Sequence, residues 1–537
     1  MKRLCFSLFF LLTTSVFATA DWTLYVHMAA DNNLSTYASM DLVDEMAKAT
    51  LSERINVVAQ CDLPNHLGTY RYKIENNEVV TLEVLASEMG QNPEQDLVSG
   101  MRWAAQNFPA NHYAISLWGH GSGIIDPIRK ITRGILYDDT NDTYLNNQDM
   151  LSALIQIKNE VLGGKKIDVL GMDACLMADL EVGYQIKDCV NYFVASQQTE
   201  PAFGWDYCGF LTSASTAYLT PAQFATAIVN SYKVFYDEKQ TADYTQSVVD
   251  LTKIDLVEQK LNLIVDKWNQ CEEVLGIEFK NVIDQVRNKS LEFEDDDFID
   301  LHFFCKTVLD ELETIELPEP EPEQEPEPQP EPEVVEQEES EIEQQPSSPR
   351  PSLIFQRPNF LFNFSNRPNF GPTPNVFIRP SNLPPPGLEA RPSSVPRPLR
   401  PQNNISPIPQ VIVRPSNTPG SIQPRPGFSL QLNNNRPLRP VISARSFDLF
   451  KDLNFVELDL TNLAIENLTN NLQVLKDLLS EEMLLIEQAV IANATGSQMK
   501  NAKGISIYFP KYDIHSSYYL TNFAIDGKWV SFLSKFV

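Results

Sequence analysis

Two residues in this 537-residue chain carry the reactivity that covalent catalysis needs, and each follows a short apolar run. Cys175 stands in GMDACLMA, just beyond the β-branched stretch Ile167 to Leu170 and the glycine that closes it. A run of that length between glycines reads as a buried strand ending in a tight turn. The spacing of Leu176, Leu180 and Tyr184 reads as a helix beginning directly after the cysteine. A helix N-terminus favours thiolate, and the carboxyl edge of a strand is where an α/β enzyme holds a nucleophile. Cysteine is also among the most often buried side chains, so Cys175 alone would serve equally well as packing.

His120 shifts that balance. It sits in WGHGSG, at the end of a second apolar run, His112 to Trp118. Glycines on both sides let the backbone turn sharply and present the imidazole, although a turn histidine satisfied by backbone would look the same. If the two runs are strands of one parallel sheet, imidazole and thiol emerge at one edge. Cys175 would then attack a peptide carbonyl to give an acyl-enzyme, and His120 would protonate the leaving amine and later assist water. The backbone N–H groups of Gly121 and Cys175 are the natural donors for the oxyanion.

The elements that must position these residues alternate in type. Trp22 to Met28, Ile55 to Gln60, the histidine and cysteine runs, Tyr192 to Ala195 and Ser247 to Leu251 read as strands. Helical patterns over Leu34 to Ala49, Asp96 to Phe108, Pro221 to Tyr236, Leu256 to Val274 and Asp300 to Leu312 lie between or after them. Tyr70 to Ile74 and Val79 to Val84 read as an edge hairpin. This alternation implies an α/β fold, its sheet covered on both faces.

WGHGSG ahead of GMDACLMA, with AADNNLSTYASMDLVDEM before and SQQTEPAFGWDY after, resembles the clostripain family of cysteine peptidases in the caspase-like clan. The resemblance spans roughly Asp21 to Leu312 and returns at KGISIYFPK, Lys503 to Lys511. It implies a caspase-like three-layer sandwich with a mostly parallel sheet and a Cys-His dyad with no assigned third member. It also implies cleavage after Arg or Lys, because Asp173 matches the acid implicated in binding that side chain. A buried carboxylate favours a basic partner, although Asp before an apolar run is equally suited to a helix N-cap. Asp206, in GWDY, is a second candidate acid, with Trp205 as a wall of the pocket. The loop Ile124 to Gly134 carries Arg129, Lys130 and Arg133. Precursors in the family are cut in this way, so self-processing is expected there, first after Arg133. The resemblance requires no cofactor and leaves calcium open. The acidic run Asp138 to Asp142 lacks the glycine and distal glutamate of an EF-hand, so no metal ligands are assigned.

Met1 to Ala20 reads as a signal peptide: Lys2 and Arg3, an apolar run, then Ala-Thr-Ala. Export, to a secreted or periplasmic destination, is the expectation, with no later transmembrane segment. Residues 21–312 form the peptidase-like domain, 313–445 an insertion, and 446–537 a C-terminal part, largely helical, expected to dock back on the domain. From Glu311 to Glu343 the chain has 15 Glu and no Lys or Arg; from Arg350 to Arg445 it has 12 Arg and one acid, Glu389, with Pro throughout. Neither block offers periodic apolar residues, so both are expected to be extended and disordered. The Arg/Pro half would suit contact with a surface or polyanion. The two blocks together, Glu311 to Arg445, carry −4 (−15 −1 +12), which leaves −25 of the total −29 on the remainder. Nucleic acid is therefore a poor partner for the folded part, whereas basic peptides are drawn to it. Six cysteines follow the signal without CxxC pairs, which indicates neither a zinc site nor a disulfide scaffold. Two other readings stay open: the same fold with Asn or Asp specificity, and a surface-attached binding protein acting through its Pro-rich arm.

Overall fold

Burial along β1 (Ala20–Ala29) is nearly complete on both sides, as expected of a strand at the centre of a parallel sheet. Leu24, Val26 and Met28 enter one apolar core and Tyr25 and Ala29 the other, so each face carries its own layer of helices. The computed structural model describes residues 19–64, 68–126, 134–315, 317 and 456–537, all within one compact unit. Arg129, Lys130 and Arg133, the signal run up to residue 18 and nearly all of the insertion lie outside the described residues.

The main sheet has nine strands, in the order β10-β8-β7-β6-β5-β1-β2-β3-β4. β2 (Ile55–Asp62), β1, β5 (Ala110–Trp118), β6 (Ile167–Asp173) and β7 (Val190–Ala195) run parallel at its centre. The hairpin β3 (Tyr70–Glu75) and β4 (Glu78–Val84) adds antiparallel strands at one edge, and β8 (Thr245–Asp250) adds one at the other. On one face lie α1 (Ser35–Met40), continued as π-helical turns to Met46, with α5 (Tyr207–Thr216) and α6 (Pro221–Glu238). On the other lie α2 (Pro93–Asn107), α3 (Asn147–Gln156), α4 (Leu180–Ile186) and α7 (Ile254–Leu275). Helix starts follow local chemistry: Asn92 accepts from Gln95 N–H ahead of Pro93, and Thr220 with Gln223 forms a capping box ahead of Pro221.

The chain after the insertion completes this body. α10 (Val456–Ala489) packs on α7 and α9 (Leu301–Leu312). β10 (Val490–Thr495) pairs antiparallel with β8, Asn493 opposite Ser247, and covers what would otherwise be an open edge. From sequence, residues 456–493 read as mostly helical, because no Gly or Pro breaks the run at Ala489. The pairing with β8 overrides that local pattern. β11 (Ser506–Tyr508) pairs with β9 (Phe298–Asp300), and two short helices, α11 (Asn522–Asp526) and α12 (Trp529–Leu533), close the chain. α8 (Ile277–Lys289) lies between α7 and β9.

Candidate active site

The two reactive residues leave equivalent points on adjacent strands. Trp118 at the end of β5 is in register with Asp173 at the end of β6, and His120 and Cys175 each lie two residues further on. Parallel neighbours run about 4.8 Å apart, so the two tips begin side by side. Gly119 N–H donates to Asp173 O at 3.2 Å. A Cβ on Gly121 would meet Cys175 O at 2.4 Å, so the histidine loop passes against the cysteine loop at a point where only glycine fits. Neither Gly121 N–H nor Cys175 N–H donates to a backbone carbonyl among the described residues.

Cys175 is partly buried and accepts a hydrogen bond from Glu200 N–H at 3.3 Å. Burial pushes its thiol pKa up and Asp173 adds to that, while the Glu200 N–H pulls it back down. The expected helix N-terminus does not contribute, because α4 begins only at Leu180. Between them the chain bends sharply, with Leu176 at a φ of 64°, held by Leu176 N–H to Gln198 O at 3.2 Å. A left-handed leucine costs about 1–3 kcal/mol, and strain of this kind concentrates at sites where function requires a particular geometry. Apolar spacing could not reveal it, since the turn uses the same residue types as a helix.

His120 is oriented by a residue from a third strand end. Its Nε2 lies 2.8 Å from Oδ1 of Asn33, in the loop after β1. With that oxygen accepting, Nε2 carries the proton and Nδ1 is the nitrogen able to exchange one. Leu136 N–H also donates to His120 O at 3.2 Å. Asn33 stands between β1 and α1, and its contact forms only because β1 lies beside β5.

Asp173 is 5% exposed, and burial raises its pKa to about 6, with Glu200, Tyr207 and Trp205 as hydrogen-bonding neighbours that hold it down. Trp205 N–H reaches its Oδ2 at 3.4 Å, and the Gly204 turn lies over its Oδ1 with no side chain between. It ends a strand and caps no helix, unlike the N-cap reading. Glu200, within SQQTEPAFGWDY but given no role there, is driven well above the usual carboxylate range, first by burial and then by Asp173; it also accepts from Gln246 at 2.9 Å.

Trp205 and Asp206 do not take the places expected of them. Trp205 is 1% exposed, its ring lying against Gly171 of β6, and only its backbone N–H faces Asp173. Asp206 caps α5, accepting from Gly209 N–H at 2.9 Å and Ser231 Oγ at 2.5 Å. A GWDY turn that starts a helix needs both an anchor and a cap, and these two residues supply them. Beneath the site, Asp179 ties three segments together: Oδ2 accepts from Ile124 N–H at 2.7 Å and Oδ1 from Ser506 Oγ at 3.0 Å.

The sequence profile of the clostripain family matches residues 26–535. The chain belongs to the clostripain family. Clostripain of Hathewaya histolytica is 27% identical over 190 residues, which cover 31% of this chain and 36% of that protein, so the match spans about a third of this relative. Among solved structures, a secreted C11 cysteine protease from Bacteroides thetaiotaomicron with an irreversible peptide inhibitor aligns over 54% of this chain and 78% of its own. Its identity is 22% and its TM-score 0.42. An inactive zymogen C11 protease from Parabacteroides distasonis aligns over 46% and 67%, at 21% identity and a TM-score of 0.38.

Proposed function

We propose that this clostripain-family chain is an exported cysteine endopeptidase that hydrolyses peptide bonds after Arg or Lys. The observation that carries the reading is the meeting of the loops after β5 and β6, with Gly121 against the carbonyl of Cys175. His120, set by Asn33, takes the thiol proton; the thiolate attacks the peptide carbonyl, and Gly121 and Cys175 N–H groups stabilise the oxyanion. His120 then protonates the leaving amine, and water attacks the acyl-enzyme. Asp173, reached over Gly204, pairs with the basic side chain of the substrate.

Two further parts of the reading rest on sequence. The chain cuts itself in the loop 124–134, first after Arg133, and the Lys2, Arg3 and apolar run directs export. No described helix is long and apolar enough to cross a membrane. The Arg/Pro half of the 313–445 insertion tethers the enzyme to a polyanionic surface, and catalysis requires no cofactor.

Fluorogenic peptides with Arg, Lys, Asn or Asp at the cleaved position test the reading. Arg and Lys substrates are expected to turn over, with at least a 10³-fold loss in Cys175→Ala and His120→Ala. Turnover of Asn or Asp substrates alone would replace the specificity, and wild-type rates in Cys175→Ala would remove the mechanism. Cys175→Ala still clipped after Arg133 would remove self-processing.

A further inference from the structure

Phe203 stands in the open on a turn that is fixed from both sides. Its side chain is 46% exposed, and no other described phenylalanine is exposed to that degree. A tight turn from Pro201 to Gly204 carries it, closed by Gly204 N–H to Pro201 O at 2.9 Å. Gly204 takes a φ of 59°, and its carbonyl accepts from Tyr236 OH at 2.7 Å. Trp205 follows, buried with its ring against Gly171. The exposure of the phenyl ring is therefore built into the fold. Single apolar residues on a surface are ordinary, so it is the position of this one that carries meaning.

That position is the rim of the candidate active site. A Cβ on Gly204 would lie 2.8 Å from Asp173 Oδ1, and Phe203 is the residue before it, one Cα step of about 3.8 Å away. Earlier in the same segment, Glu200 N–H donates to Cys175 Sγ at 3.3 Å. The Phe203 ring meets Tyr37 edge to face, with centroids 6.0 Å apart and planes at 86°. Tyr37 lies on α1, a turn beyond Asn33, whose Oδ1 is 2.8 Å from His120 Nε2. The aromatic pair thus joins the segment over the acid to the segment that orients the imidazole. Lys239, just past α6, completes the patch: its Nζ stands 5.0 Å from the Phe203 ring centre and 4.2 Å from that of Phe235.

We propose that Phe203 and Tyr37 form an apolar subsite for the side chain of the substrate residue immediately before the basic one. The inference rests on the cleavage reading above, since it takes its orientation from Asp173 and Cys175. The amine half of the peptide departs past His120. Phe203 shares its segment with the groups at Asp173 and at the sulfur, so it serves the half that stays on the cysteine. An aliphatic or aromatic side chain laid on the pair removes apolar surface from water on both sides. A second basic side chain placed there meets the Lys239 ammonium instead. On a chain whose net charge of −29 draws cations in general, that local repulsion reserves this place for apolar groups.

The test uses full-length protein and acetyl-Ala-Ala-Xaa-Arg aminocoumarin peptides with Leu, Phe, Gly or Lys at Xaa. The kcat/KM ratio of Leu or Phe over Gly is expected to be about tenfold, with Lys no better than Gly. Phe203→Ala should fold, since the side chain is exposed, and should bring that ratio close to unity. Tyr37→Ala should lower it in the same direction, and Phe203→Leu should keep most of it. Tyr218→Ala removes another exposed aromatic, beside His112 near the start of β5, and should leave the ratio alone. Dissociation constants of the corresponding arginine amides on Cys175→Ala protein read the subsite apart from the chemistry and should show the same ratio. Turnover with equal kcat/KM for Leu, Phe and Gly would overturn the subsite and leave the peptidase reading intact. An apolar preference in binding without turnover would keep the subsite and remove the peptidase reading, whereas equal dissociation constants without turnover would remove both. A preference that survives Phe203→Ala, or one found only at the residue after the arginine in internally quenched peptides, would also overturn the subsite.

Discussion

Replacing Gly121 by Ala probes the meeting of the two loops with one methyl group. That methyl would stand 2.4 Å from Cys175 O, 3.0 Å from Met177 Cγ and 3.1 Å from Ala174 Cβ. The methionine can swing away, but the carbonyl belongs to the backbone of the nucleophile itself. Opening 2.4 Å to an ordinary 3.4 Å contact moves one loop by about 1 Å. A shift of that size in a reacting group costs about 10²-fold in rate, whereas the added bulk costs about 1–3 kcal/mol of stability. Gly163→Ala is the control: its φ is 63° and nothing lies within 4 Å, so it carries backbone strain of about 1–2 kcal/mol with no displacement of the site. Steady-state kcat on an Arg peptide and the unfolding midpoint are measured for both. The expected result is similar destabilisation with kcat lost only in Gly121→Ala. A Gly121→Ala enzyme within threefold of wild-type kcat would refute the placement of these loops as one catalytic edge.

Three more outcomes follow from the same geometry. Asn33→Ala removes the Asn33 contact to His120 Nε2, and kcat on an Arg peptide should fall about tenfold with KM little changed; an unchanged kcat would remove the orienting role. Burial holds the Asp173 pKa at about 6, so its carboxyl is neutral below that pH and charged above it. The ratio of kcat/KM for Arg over a neutral norleucine substrate should therefore rise from pH 5 to pH 7, about tenfold. Asp173→Asn should abolish the rise, and an unchanged profile in that variant would assign the preference elsewhere. Asp179→Ala strands Ile124 N–H in the interior while Ser506 Oγ keeps Ala178 O at 3.1 Å, so urea unfolding should show a loss of about 1–3 kcal/mol; no measurable loss would show that water replaces the carboxylate.

The layout of the sheet was legible because its central strands are short apolar runs closed by glycine, as in HYAISLWG and IDVLG. Those runs placed His120 and Cys175 at strand ends, where the structure has them. What the sequence hid depends on contacts distant along the chain. Asn33 meets His120 only through the β1–β5 pairing, and β10 becomes a strand only because β8 offers it an edge. The turn at Leu176 was misread because a leucine at positive φ looks, in sequence, like the first apolar position of a helix. Asp206 and Trp205 drew attention as polar and aromatic residues near the site, yet the start of α5 uses one as its cap and the core uses the other. Glu200 lies within SQQTEPAFGWDY, yet nothing in that spacing gives it a role, since burial makes it unusual.

The most direct measurement of the central claim is covalent capture. Full-length protein is incubated with an arginyl acyloxymethyl ketone, digested, and the modified residue located by mass spectrometry. A single adduct on Cys175, strongly slowed in His120→Ala, is the predicted result. An adduct on any other cysteine, or labelling of Cys175 at the same rate without His120, would contradict it.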